Sequence, residues 1–162
     1  MSYSKGNVIA RDYSLADRPI CLALFASNVP ESFTVAERSD FERFLDNLPG
    51  PYMVLTDKSG LAIACGGYAV NPGTSCADLC WGMVHRDRQR EGIGRLLTEL
   101  RLKRIQADSG VTEIVLRTSH VTAPFYERLG FVVEDLRLNG IALGLHLCTM
   151  RLRLTCNDAA ST

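Results

Sequence analysis

The sequence predicts a mixed α/β fold of the α+β kind: a central, twisted, mostly antiparallel sheet of about seven strands, flanked by about four helices. Three observations carry this. Tyr52 to Thr56, Leu61 to Val70 and Cys76 to His85 are strand-like runs joined by short turns, which makes an antiparallel meander. The last of these feeds a glycine loop, a helical run and a further strand; such a strand–helix–strand unit sets its two strands parallel. The 162 residues hold no repeat, low-complexity stretch or linker, so one domain over residues 1–162 is the simplest organisation, large enough for a core.

Taken in order, Asn7 to Tyr13 reads as a first strand. Ser14 caps a helix from Leu15 to about Ala26, with Pro19 near its first turn, where a missing N–H costs little. Thr34 caps a second helix, Val35 to Leu48, and Glu37 completes a capping box. Phe41, Phe44, Leu45 and Leu48 follow at helical spacing, and Pro49-Gly50-Pro51 ends the helix. Asp57-Lys58-Ser59-Gly60 and Asn71-Pro72-Gly73-Thr74-Ser75 are the meander turns. Gly66-Gly67 inside a strand marks a bulge or a close approach by another backbone. Leu96 to Ile105 is helical, Thr112 to Thr118 a strand parallel to the one before the loop. Thr122-Ala123-Pro124 opens a short helix that ends at Gly130. Phe131 to Leu138 and Leu145 to Leu152 are two last strands, with Asn139-Gly140 starting a loop that runs to Gly144. The tail, about 155–162, is polar.

Composition narrows the partners. A formal net charge of zero gives no bulk attraction to nucleic acid or an anionic membrane. The first residues lack the apolar segment of a signal peptide, and no apolar run is long enough to span a bilayer, so a cytoplasmic location is expected. The six cysteines form no C-x-x-C pair and read as reduced, mostly buried residues. His85, His120 and His146 stand at no metal-ligand spacing with them, so no metal is expected.

The chemistry concentrates in Gln89-Arg90-Glu91-Gly92-Ile93-Gly94-Arg95, between a strand and a helix. Two glycines let the backbone turn sharply and approach a ligand. The unpaired N–H groups and dipole of the helix start favour a polyphosphate. Arg88, Arg90 and Arg95 add charge. Gly94 is followed by Arg95-Leu96 rather than Lys-Ser/Thr, which disfavours a Walker loop, and the third glycine of a dinucleotide fingerprint is missing.

Gln89-x-x-Gly92-x-Gly94 resembles the coenzyme A pyrophosphate loop of the GNAT superfamily of N-acetyltransferases. Ala123-x-Phe125-Tyr126-x-x-x-Gly130-Phe131 is similar to that family's short fourth helix and its exit, and the order of elements is the GNAT order. The resemblance implies acetyl-CoA as co-substrate and direct transfer of the acetyl group to an amine acceptor, a small molecule or a peptide. Residues 89–95 would hold the pyrophosphate. In the family the strand before the loop splays from its parallel neighbour, and pantetheine lies along it; by position that backbone is Met83-Val84. A strand N–H would serve the oxyanion. Ser119, or His120, would reach the pantetheine arm. Tyr126 would be the general acid, turned out of the core while Phe125 packs into it; a phenol is protonated at neutral pH.

Asp78 is the candidate general base, alone or through a water, because the histone-acetylating branch has an acid in a similar place. Glu31 and His85 are its rivals, the latter because an imidazole titrates near neutrality. The acids Glu37, Asp40, Glu42 and Asp46 form either a solvated face or a surface for a cationic acceptor. A non-catalytic acyl-CoA-binding module is the alternative reading. Monomer and homodimer are both open.

Overall fold

The computed structural model describes residues 3–108 and 110–155. Cys156 and the rest of the expected polar tail lie outside the described residues. Eight strands hydrogen-bond in the order β1-β2-β3-β4-β5-β6-β8-β7, with a parallel β5–β6 pair. Two compact units are distinguished, Met1–Ala69 with Cys80–Lys103, and Val70–Leu79 with Arg104–Thr162.

The first unit begins with a hairpin of β1 (Tyr3–Lys5) and β2 (Val8–Asp12). Gly6 takes φ +61 at its turn. β1 is the strand beyond the expected seven. β3 (Tyr52–Thr56) pairs antiparallel with β2 and with β4 (Ala62–Val70). β5 (Cys76–Val84) follows, its later half in this unit. Every residue of β3 is buried, because both faces of the sheet are covered. Tyr52 and Val54 pack with Phe25, Phe41 and Leu45 of helices α1 (Arg18–Ser27) and α2 (Arg38–Asp46). Met53 and Leu55 pack with Ile93 and Leu97 of α3 (Ile93–Gln106). The alternation along β3 thus assigns neighbours to opposite layers.

Both expected helix starts open with a 3₁₀ turn, Leu15–Asp17 and Val35–Glu37. The expected second helix, Val35 to Leu48, is therefore α-helical only from Arg38 to Asp46. At the second start the backbone N–H of Thr34 donates to the Glu37 carboxylate at 2.7 Å. At the first, Asp17 accepts from Ser14 N–H at 2.8 Å and from both terminal nitrogens of Arg11 at 2.7 Å. Hydrogen bonding from Arg11 holds the Asp17 carboxyl below the usual carboxylate range. Since the folded state depresses this pKa, the stabilisation is full above the ordinary carboxylate range and is lost as pH falls through the lowered value. Asp17→Asn is therefore expected to cost about 1–2 kcal/mol at neutral pH. Thermal melts should show wild type and variant converging in acid; a constant gap down to acid would show that the charge is irrelevant.

In the second unit, β5 pairs parallel with β6 (Glu113–Ser119) from Cys76↔Glu113 to Asp78↔Val115. β8 (Leu145–Arg153) runs antiparallel to β6, and β7 (Val132–Ala142) to β8. The short helix is α4 (Ala123–Glu127). One turn differs from expectation. Asn139-Gly140 is not the hairpin turn: β7 continues to Ala142, and its register against β8 shifts between Arg137 and Ala142. Asn139 takes φ +56, donates its N–H to His146 Nδ1 at 2.9 Å, and accepts Gly144 N–H on its side chain at 2.7 Å. These bonds make it a bulge, so the turn moves to Leu143-Gly144, where Gly144 has φ +78.

Candidate functional site

The loop from β5 to α3 is built as a cradle. After a 3₁₀ turn, Arg86–Arg88, the backbone reaches positive φ at Arg90 (+67) and Gly92 (+80), and α3 starts at Ile93. Alternating backbone handedness of this kind turns successive N–H groups toward one side, an anion-binding concavity. A Cβ placed on Gly92 would meet nothing within 4 Å, so the space over the turn is open. Ile93 anchors the helix start in the core, while Gln89, Arg90, Glu91 and Arg95 are exposed and Gly94 is half-buried.

Of the three arginines that add charge here, two are paired within the chain. Arg88 is spent inside the loop: it pairs with Glu91 at 2.9 Å and Asp57 at 3.3 Å. Asp57 in turn accepts from Ser59 and from Leu61 N–H, and its carboxyl is held low, by the Ser59 hydroxyl first. Arg95 pairs with Glu99 across one helical turn. Arg90 has no ion-pair partner among the described residues and stands exposed at the rim.

Sequence reasoning missed Asn28. It is only 4% exposed. Its Nδ2 donates to Leu24 O and to Val84 O at 2.9 Å, and its Oδ1 accepts from Gln89 at 2.7 Å. One side chain thereby ties α1, the end of β5 and the first cradle residue together. It also occupies one lone pair of the Val84 carbonyl, so a ligand pairing with Met83-Val84 would meet the remaining groups. No local sequence signal marks it, because two of its partners, Val84 and Gln89, lie more than fifty residues away.

β5 is irregular where the ligand backbone was expected. Trp81 takes φ +41, rare for a bulky residue. Tyr52 holds this kink by donating to Trp81 O at 2.8 Å. Burial pushes the Tyr52 phenol well above its ordinary range, so it remains a donor. Around the indole stand Phe25, Phe33, Phe41 and Phe44, with centroids 5.0–6.3 Å away. The paired glycines of β4 are the close approach that their pattern suggested: a Cβ on Gly66 would stand 3.1 Å from Gly82 Cα, and one on Gly67 would stand 2.4 Å from Pro51 O.

The remaining candidates separate. Glu31 pairs with Arg86 at 2.8 Å, both about half exposed. His85 accepts Asp87 N–H at Nδ1 at 3.1 Å. His120 and His146 likewise accept backbone N–H groups at Nδ1. Asp78 is half-buried in the second unit and accepts from Asn71 Nδ2 at 3.2 Å. Ser119 is 3% exposed and its hydroxyl bridges to Thr122 at the start of α4, donating to Oγ1 and accepting N–H. These bonds cap the start of α4. Tyr126 is 9% exposed, edge-on to Phe125 and Phe131, while Phe125 is half-buried. Against the expected division, Tyr126 is the more buried of the two, because the five-residue helix offers its inner face at Ala123 and Tyr126, three apart.

The acids of the second helix are engaged as well. Glu37 caps Thr34, while Arg43, Arg38 and Arg18 pair with Asp40, Glu42 and Asp46. Among the described residues the cysteines form no disulfide. Those residues include no group of three or more His, Cys, Asp or Glu placed to hold a metal ion. No helix among them is long and apolar enough to cross a membrane.

A family model, the acetyltransferase (GNAT) domain, matches residues 49–133. No curated protein matches the sequence. Among solved structures, a GNAT-family protein from Desulfovibrio desulfuricans superposes with a TM-score of 0.77 at 23% identity, over 91% of this chain and 99% of that one. A ribosomal-protein-alanine N-acetyltransferase from Brucella melitensis gives 0.70 at 18%, over 90% and 99%. A spermidine N-acetyltransferase from Vibrio cholerae gives 0.71 at 14%, over 92% and 95%. At these identities the likeness is one of fold.

Proposed function

Because the chain belongs to the GNAT family of acetyltransferases, we propose that it is an acetyl-CoA-dependent N-acetyltransferase acting by direct transfer to an amine. The observation that carries this is the cradle itself. Positive φ at Arg90 and Gly92 precedes the N-terminus of a 14-residue helix, with open space above Gly92. That arrangement suits the CoA pyrophosphate, with the Gln89–Arg95 backbone as donor set and Arg90 as the rim cation.

In the reaction, the acceptor amine attacks the thioester carbonyl and a C–N bond forms. The carbonyl oxygen becomes an oxyanion, for which N–H groups of β5 at Met83-Val84 are the donors. Asp78, directly or through a water, takes the amine proton. The tetrahedral intermediate collapses, the C–S bond breaks, and Tyr126 donates its proton to the departing thiolate. Acetyl-CoA supplies the activated acyl group and leaves as coenzyme A; no metal is called for.

The two neighbours named above are named for a ribosomal-protein alanine and for spermidine, at nearly equal TM-scores, so the fold does not select an acceptor. With the acids of the second helix already paired, recognition of a polycation there is disfavoured. We therefore favour a small-molecule or peptide monoamine. The test is thiol release from acetyl-CoA across a panel of amines, beside a thermal shift with CoA. Turnover supports the enzyme; a shift without turnover supports an acyl-CoA-binding module; neither sinks both.

Tyr126→Phe separates these readings further. It removes one oxygen and leaves the ring packing against Phe125 and Phe131. The expected result is little change in melting temperature or CoA affinity, with kcat lowered about ten-fold or more. An early melt with full turnover per folded molecule would make the hydroxyl structural.

A further inference from the structure

Arg101 on α3 is 1% exposed, which makes it the largest fully buried side chain among the described residues. No carboxylate among those residues is paired with it. Nη1 donates to Gly67 O at 3.3 Å and Nη2 to Thr98 Oγ1 at 3.5 Å, both long, and Nε is buried with no partner. A guanidinium is a permanent cation. Burying one without a counter-charge is among the costliest arrangements a fold can keep.

The surroundings are shaped for it. A Cβ on Gly82 would stand 2.7 Å from Nη2 and 3.0 Å from Nη1, and one on Gly66 would stand 3.3 Å from Cζ. Two strands thus give up side chains at the guanidinium. Its location is the kinked part of β5: Gly82 lies between Trp81, at φ +41, and Met83-Val84. Charge is worth most where water is absent.

We propose that Arg101 is a positioning residue for acyl transfer. Its buried guanidinium packs against β5 at Gly82 and imposes a positive potential on the neighbouring Met83-Val84 N–H groups. This rests on the functional reading above, in which those N–H groups receive the oxyanion. Negative charge appears at that oxygen only in the transition state, so the cation acts on kcat and not on cofactor binding.

The experiment compares Arg101→Met, Arg101→Lys and wild type by kcat at saturating acetyl-CoA and amine, CoA affinity by calorimetry, and melting temperature. Methionine fills much of the volume without the charge, so the expected melting temperature is equal or higher. CoA affinity should stay within about two-fold, while kcat falls about ten-fold or more. Lysine keeps the charge and should recover most of kcat. An unaltered kcat in Arg101→Met would overturn the proposal. So would a kcat loss that lysine fails to relieve, or failure of Arg101→Met to fold, since each makes the residue a packing element. Absence of turnover in the wild-type protein would remove the functional reading itself, and this inference with it.

Discussion

In Asp78→Asn, kcat/KM is expected to fall about 10²–10⁴-fold, the usual cost of losing a general base. The loss should be greatest at pH values where the acceptor amine is still protonated, and should shrink as the amine becomes neutral without help. The fold should tolerate the change. Asp78 pairs through its backbone with Val115, and an Asn at this position can still accept the hydrogen bond from Asn71 through its carbonyl oxygen. The check is a pH–rate profile of both proteins on one amine. A parental profile in the variant would pass the role to Glu31, which would first have to leave Arg86, to His85, or to no protein group, the amine being already neutral.

Gly92→Val should be nearly as damaging, at a different step. Gly92 has φ +80, a conformation that costs a β-branched residue about 1–3 kcal/mol. Because a Cβ there meets nothing, the protein should fold, with the loop shifted to negative φ. CoA then binds only from the strained minority, which weakens affinity by about ten-fold to a hundred-fold. The side chain also enters the space proposed for the phosphates. Calorimetry with CoA decides it: wild-type affinity in a folded Gly92→Val would remove the cradle from the argument.

Most of the architecture was legible because it rests on local signals. The capping box of Thr34 and Glu37, the Asp57–Gly60 turn and the β5–loop–α3–β6 unit all announce themselves within a few residues. What escaped depends on partners distant in sequence. Asn28 acquires its role from Val84 and Gln89, and Trp81 is kinked against a hydroxyl from Tyr52. Asn139-Gly140 carries a strong turn signal, yet His146 and Gly144 hold it as a bulge. At α4, adjacency of Phe125 and Tyr126 determined the angle between them but not which one faces inward.

The first unit is discontinuous, and this matters while the chain is being made. Its first segment ends at Ala69 and its second begins at Cys80. As the nascent chain leaves the ribosome, Phe25, Phe41 and Phe44 are available long before the indole of Trp81 that they surround. Met53 and Leu55 wait longer still for Ile93 and Leu97. β4 meanwhile presents an open edge until β5 emerges. The early chain therefore exposes apolar surface and an unpaired strand, the conditions under which aggregation competes with folding and chaperones are recruited. Slow synthesis prolongs that interval, whereas a pause once Leu97 has left the ribosome would let both layers close before β6 appears.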